Sequence, residues 1–404
     1  MKYFKNTELA KLYHVSEKSV RNWIDAAEVG KLELVLHEEK GKSYIANVSK
    51  NTSVIERLVE KGKKYKNARG FRRLQPKPEF YEYFDDKQIL DIISSLSVHS
   101  ETPLQYTYVD GGATDWDRYA TNLAGETTPN VLNSTIIMLD VLDDVTRELL
   151  EHYDRINIVD LGPGNGMPIR PMLEKLLTEG RLNRYIPIDI SKDMLGLLDK
   201  NIQDWFGDKV TTEAHVRDLT HERFNDVLAS DITDPKTVNL IFFLGGTLDN
   251  FRDPEQVLHV INSSMGVNDI LITSGYLDTP KNRLYFDYDP QRKVPVQDGL
   301  ILDFLGIDQS LYEVEQIFND QKHSRSTSVR PKVDISIEFT FKNGTHVVEL
   351  RKNEPILIWR HWHKTVVELV NQLDRNGFEV LLATKAHDED YSLTISKIKT
   401  GIDN

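Results

Sequence analysis

"INIVDLGPGNGMPIR", residues 156–170, decides the architecture of most of this chain. Ile156, Ile158, Val159 and Leu161 make an apolar run of the length of a buried strand. Asp160 stands near its end. Gly162, Gly164 and Gly166 then alternate, and the segment "PIRPMLEKLLTEG" reads as a helix closing on Gly180. Glycine allows a ligand to approach the backbone closely and adopts positive φ without strain. Strand, glycine turn and helix in this order mark a nucleotide site at the carboxyl end of an α/β sheet. The dinucleotide fingerprint wants G-x-G-x-x-G, which these three glycines do not supply.

The same alternation continues on the carboxyl side. "RYIPIDI" is a second strand, "KDMLGLLDKNIQDWF" a second helix and "TEAHVRDL" a weaker third strand. "VNLIFFL" is a strong fourth strand, "PEQVLHVINSSM" a helix and "DILITSG" a fifth strand. Alternation of this kind specifies a parallel sheet covered on both faces. It stops for about 80 residues, where "ISIEFTFKNGTHVVEL" reads as a hairpin turning on Asn343-Gly344. The helix "KTVVELVNQLDRNGF" and two closing antiparallel strands, "EVLLATK" and "YSLTISK", complete it.

The amino-terminal part is different. Residues 1–75 carry 17 Lys and Arg against 9 Asp and Glu; the remainder carries 33 against 54. A basic head on an acidic body suggests two modules with different partners. Asn6 or Thr7 is placed to cap the helix "ELAKLY", and Ser16 to cap "EKSVRNWIDA". Val20, Trp23 and Ile24 form one apolar stripe, leaving Lys18, Arg21 and Asn22 to face outward. "LELVLH" and "SYIANV" flank "EEKGK" as a hairpin. Two helices and a hairpin make a winged helix-turn-helix, and "TELAKLYHVSEKSVRNWI" resembles the excisionase or MerR type. Ser53 and Glu56 suggest a capping box for a helix to about Tyr65. The basic run "KGKKYKNARGFRRLQPKP" reads as a linker. The expected division is a head at 1–50, a basic helix and linker at 51–85, and a body at 86–404. Within the body, the sheet core takes about 136–276 and 355–404, and a substrate subdomain takes about 86–135 and 277–354.

The composition excludes several chemistries. The chain has 404 residues and no cysteine. That rules out disulfides, thiolate zinc sites and cysteine nucleophiles, including the one cytosine C5 methylation requires. The start "MKYFKNTELA" has no apolar signal core and no apolar run approaches ~20 residues, so a cytoplasmic protein without membrane contact is expected. His361 and His363 in "WRHWH" stand two apart without further ligands and read as a strand end or helix start, not a metal site.

Acidic-x-Gly-x-Gly-x-Gly, Asp160 to Gly166, is the order of the first motif of S-adenosylmethionine-dependent methyltransferases. The fourth strand ends in "FLGGTLDN", residues 243–250. This segment resembles the F-L-G-[GS]-T-[IL]-x-N signature of the histidine-specific Nα-methyltransferases of the ergothioneine type. "DLGPGNG" and "YIPID" match two further motifs of that family, and the similarity runs from about residue 86 to 404. It implies a class I, Rossmann-like α/β sheet with an α+β substrate insertion, and S-adenosylmethionine as cofactor.

At a second-strand end, Asp189 is placed to accept both ribose hydroxyls of a nucleoside, with Ser191 beside it. Asp218 is placed to accept from the adenine amino group. Gly245 and Gly246 leave room for the sulfonium, and Thr247 and Asn250 offer hydrogen bonds. The resemblance implies that Asn250 holds the amino-acid end of the acceptor. It also implies substrate contacts at Asp334 and Ser336, in place of the family's Glu and Ser, and at Tyr108 and Tyr288. The match is incomplete: Val109 stands where the family has Tyr, and "LAGETTPN" replaces its Y-Y-P-T-R.

No catalytic triad is expected, because methyl transfer mainly needs alignment and a dry site. The leading expectation is methylation of an amine on a small amino-acid-like substrate. The alternative is a transcriptional regulator whose head binds duplex DNA through Lys18, Arg21 and Asn22 while the body senses a ligand. Methylation of a nucleic-acid base amine fits poorly, since "LGGTLDN" stands where a D/N-P-P-Y/F motif would, and the acidic body repels phosphates.

Overall fold

The computed structural model describes residues 3–13, 15, 17–67, 71–109, 111–126, 129–141, 143–229, 234–285, 296–341, 344–386 and 390–400. They fall into two compact units, Met1–Arg72 and Arg73–Asn404.

In the larger unit, β1 (Arg155–Leu161), β2 (Leu182–Asp189), β3 (His215–Val216), β4 (Thr237–Phe243) and β5 (Ile270–Tyr276) are joined by helical crossovers. An insert then contributes β6 (Tyr312–Asn319), β7 (Ser324–Pro331), β8 (Ile335–Phe341), β9 (Gly344–Leu350) and β10 (Ile356–Trp362). The helix Val366–Arg375 leads back to β11 (Phe378–Ala386) and β12 (Tyr391–Ile398). The main sheet has the order β11-β12-β5-β4-β1-β2-β3. From β3 to β5 its pairs are parallel, while β12 runs antiparallel to both β5 and β11. This is the class I methyltransferase sheet.

Successive side chains of a strand point to opposite faces, and here both faces are buried. Ile156, Ile158, Leu240, Phe242 and Ile272 join one apolar core; Val159, Leu161, Ile186, Ile241 and Phe243 join the other. Each such side chain contributes about 1.5–3 kcal/mol on burial, which is why these strands read as near-continuous apolar runs.

β3 is shorter than "TEAHVRDL" suggests. Its strand is His215 and Val216, which pair with Ile188 and Asp189, and Thr212 bridges Tyr185 as an isolated pair. Asp218 then bends the chain by accepting from the backbone N–H and hydroxyl of Thr220, at 2.9 and 2.6 Å.

The insert shares a second core with the segment that precedes β1, built around Phe80 and Ile92 from that segment and Phe304, Ile337 and Phe339 from the insert. β6, β7 and β10 form one antiparallel sheet, so the inserted sheet runs to Trp362, beyond the boundary at 354 expected from sequence. β8 and β9 form the expected hairpin, but Gly344 already pairs with Phe341 instead of sitting in the turn. Asn343 lies outside the described residues.

In the smaller unit, helices Asn6–Leu12 and Glu17–Glu28 precede the strands Leu36–Glu39 and Lys42–Ala46, and the helix Ser49–Asn67 follows. Leu9, Val20, Ile24, Ile45 and Ile55 make its core, with Trp23 packed against it. Lys40 and Gly41 both have positive φ, 53° and 71°, as a two-residue type I′ hairpin requires. The first helix is entered from Lys5, whose backbone N–H donates to Glu8 at 2.9 Å, so neither Asn6 nor Thr7 is its cap. Ser16 lies outside the described residues. The last helix starts at Ser49, not Ser53, because buried Asn51 is needed inside it: its amide bonds the backbone of Val35 and Ala46 at 2.8 Å. Lys61–Asn67, read as linker, is helical.

Candidate active site

The sheet reverses direction of strand order between β1 and β4, and ligands of such sheets bind beyond the strand ends at that point. The two sequence motifs meet there. Gly162 has φ +59°, and a β-carbon on it would stand 3.2 Å from Cγ2 of Thr247 and 3.7 Å from the ring of Phe243. Gly245 and Gly246, also at positive φ, carry the chain from β4 over β5. Their N–H groups donate to Oγ and O of Ser274, at 3.0 and 2.9 Å. The Thr247 hydroxyl donates to the carbonyl of Leu244 at 3.0 Å and closes the turn.

A cavity of about 710 Å³ opens over this point. Gly162, Asp189, Asp218, Thr247, Asn250 and Tyr108 all line it. Asp189 accepts the Ser191 N–H at 2.8 Å. Burial pushes its carboxyl up to about 6, against the lowering effect of that hydrogen bond. Burial and the nearby Asp189 charge also raise Tyr108 and keep its phenol protonated. Asn250 presents a buried Oδ1 with no hydrogen-bond partner among the described residues. Buried polar atoms of this kind are rare and call for a ligand or water.

Other expected site residues stand behind the cavity wall. Asp160 is buried, accepts from the Tyr185 hydroxyl at 3.1 Å, and is raised to about 7 by burial. Gly164 and Gly166 have positive φ and pack under Trp116 and Leu198. Ser191 caps the helix Lys192–Phe206 and donates to the carbonyl of Tyr108 at 3.2 Å. Gly245 lies beside Leu132.

The acceptor side differs from expectation. Asp334 and Ser336 do not line the cavity; Asp334 accepts the backbone N–H of Lys352 at 2.8 Å. Tyr288 lies outside the described residues. The wall is made instead by Leu357 to Arg360 of β10 and by the segment starting at Glu101. Glu101 accepts from Arg252 at 2.7 Å and also pairs with Arg360. Sequence reading missed these three; the only local signal was an arginine inside "WRHWH". In that same stretch His361 and His363 are buried, and desolvation lowers both to about 3, so they stay neutral. Among the described residues no three His, Cys, Asp or Glu gather as a metal site.

A nucleoside sulfonium fits what lines the donor end: bare backbone at Gly162, a carboxylate at the end of β2 and a second carboxylate, Asp218, after β3. Among the described residues no helix is long and apolar enough to cross a membrane.

A family model described as "Histidine-specific methyltransferase, SAM-dependent" matches residues 138–398. No curated protein matches the chain in sequence. Similar solved structures include an S-adenosylmethionine-dependent methyltransferase from Clostridium acetobutylicum ATCC 824, at 9% identity and TM-score 0.39, covering 70% of this chain and 99% of that one. Magnesium protoporphyrin IX methyltransferase from Synechocystis PCC 6803 is 11% identical, with TM-score 0.38 and coverage of 73% and 98%. The glycopeptide N-methyltransferase MtfA is 13% identical, with TM-score 0.33 and coverage of 70% and 98%. The family match spans well over half the chain and includes both loops of the switch point: the protein belongs to the histidine-specific methyltransferase family, and S-adenosylmethionine is its cofactor.

Proposed function

We propose that the body methylates the amine of a small amino-acid-like molecule held against Asn250. The observation that carries this reading is the unpartnered Oδ1 of Asn250, buried in the same cavity wall as Gly162 and Asp189. An amide oxygen accepts from an N–H and leaves the nitrogen lone pair free to point elsewhere. When bound, the cofactor supplies an electrophilic methyl group, whose transfer exchanges a carbon–sulfur for a carbon–nitrogen bond and leaves a neutral thioether. The residues have only to orient a neutral amine and exclude water from its lone pair. The extra proton on nitrogen leaves to solvent through the open cavity. Asp189 and Asp218 serve the donor, and Tyr108 closes the wall between donor and acceptor.

The test is transfer of labelled methyl from S-adenosylmethionine to a panel of amino acids and amines. Turnover of an amine by wild type, with kcat/KM reduced at least tenfold in Asn250→Ala and S-adenosylhomocysteine affinity unchanged, supports the reading. Equal turnover by the variant removes Asn250 from the site.

A second role belongs to the head. Lys18, Arg21 and Asn22 are exposed on the helix Glu17–Glu28, opposite buried Val20 and Ile24. This favours a winged helix-turn-helix that docks on duplex DNA, with the Lys40-Gly41 tip as wing.

A further inference from the structure

We infer that the acceptor carries a second oxyanion on its distal group, beyond the carboxylate of its amino-acid end, and that this group docks on the Arg252–Glu101–Arg360 cluster; this rests on the amine-methylation reading above. Glu101 is buried, 7% exposed, and lies between two guanidinium groups. One carboxylate against two arginines leaves this cluster with one positive charge in excess, on a cavity lining that is otherwise richer in carboxylates, Asp253 among them. Arg252 is two residues from Asn250, in the segment that follows β4, and its side chain is 47% exposed. It can therefore turn a free N–H edge toward a bound anion while keeping its bond to Glu101. A guanidinium has five donors in a fixed fork, enough for two carboxylates.

The cluster itself is poorly made for an imidazole. Recognition of a ring N–H needs an acceptor, and the Glu101 carboxylate already accepts from both arginines. Asp334 and Ser336, the acid and hydroxyl expected for that task, are elsewhere. Trp359 and Phe251 line the same cavity. An acceptor that meets Asn250 with its amine and Arg252 with its oxyanion satisfies both at once.

The experiment compares acceptors that share an α-amine but differ in the distal group: glutamate, glutamine, O-phosphoserine, serine and histidine. Each is assayed for methyl transfer with the full chain, alongside Arg252→Met and Arg252→Lys, and S-adenosylhomocysteine binding is measured for all three proteins. The expected result is kcat/KM at least tenfold higher for glutamate or O-phosphoserine than for the neutral partner and histidine. The ratio between the two anions separates a carboxylate from a phosphate acceptor. Arg252→Met should collapse the preference through KM, with kcat little changed, and Arg252→Lys should restore part of it. Preference for histidine or a neutral acceptor, or a preference unchanged in Arg252→Met, overturns the inference and leaves amine methylation standing. Binding of S-adenosylhomocysteine without turnover of any amine overturns both.

Discussion

Gly162 and Thr247 face each other across the switch point so closely that a β-carbon on the glycine would stand 3.2 Å from the threonine methyl. Gly162 also holds φ +59°, which costs an L-residue about 1–2 kcal/mol. Gly162→Ala should therefore lower the thermal midpoint and weaken S-adenosylhomocysteine binding by at least tenfold. Adding Thr247→Ser removes the crowding methyl and should recover part of the loss, because the φ strain remains. Thermal unfolding and calorimetry on the two variants check this.

Asp189 should give donor binding a pH dependence. Its carboxyl is raised to about 6, and ribose hydroxyls donate best to the ionised form. Affinity should be flat above that value and fall about tenfold per pH unit below it. Asp189→Asn should remove the dependence and cost about 1.5–3 kcal/mol at neutral pH. Calorimetric titrations across this range give both numbers.

Asp160 acts in the opposite direction on stability. Its folded-state value, about 7, lies above that of an unfolded Asp, about 3.9. A raised value means the folded chain holds a proton that the unfolded chain releases. The contribution is complete below the unfolded value and is lost as pH rises through about 7. Between these limits it should change by roughly 1.4 kcal/mol per pH unit. Denaturant midpoints of wild type and Asp160→Asn across this window should diverge with that sign.

Beneath the Asn250 turn, Lys364 pairs with buried Asp249. Lys364→Met leaves that carboxylate without its cation and should destabilise the chain by about 3–5 kcal/mol. Replacing both residues with apolar ones should recover much of this. Urea unfolding of the single and double variants tests the pair.

The head should bring salt-sensitive DNA binding. Gel shifts of the full chain on genomic fragments should weaken with a log-log slope of about −0.9 per phosphate neutralised. Lys18→Ala or Arg21→Ala should reduce that slope by about one unit each where the residue meets a phosphate. Failure of the full chain and of residues 1–80 to bind any fragment at low salt removes the DNA role.

The body was legible because strands buried on both faces leave near-continuous apolar runs, as in "VNLIFFL", and because Gly162 and Gly246 mark turns that other residues avoid. The local grammar failed where a residue serves a distant partner. Asn51 lies inside a helix because its amide pins the hairpin, a role no capping pattern announces. Glu101 and Arg360 are 259 positions apart, so nothing near either suggests a pair. The family resemblance put substrate contacts on Asp334 and Ser336, whereas the strand that lines the cavity is β10, which pairs with β7.

That pairing separates what the molecule must keep from what it is free to change. The donor-facing loops belong to the sheet core, but β10 pairs within the insert, and its Leu357–Arg360 stretch touches the cavity without being paired to the main sheet. Its ties to the Asn250 turn come just beyond, through the Trp362 indole on the Phe251 carbonyl at 2.9 Å and through Lys364. Substitutions along these four strand positions should thus alter the choice of acceptor while leaving the affinity for the methyl donor unchanged.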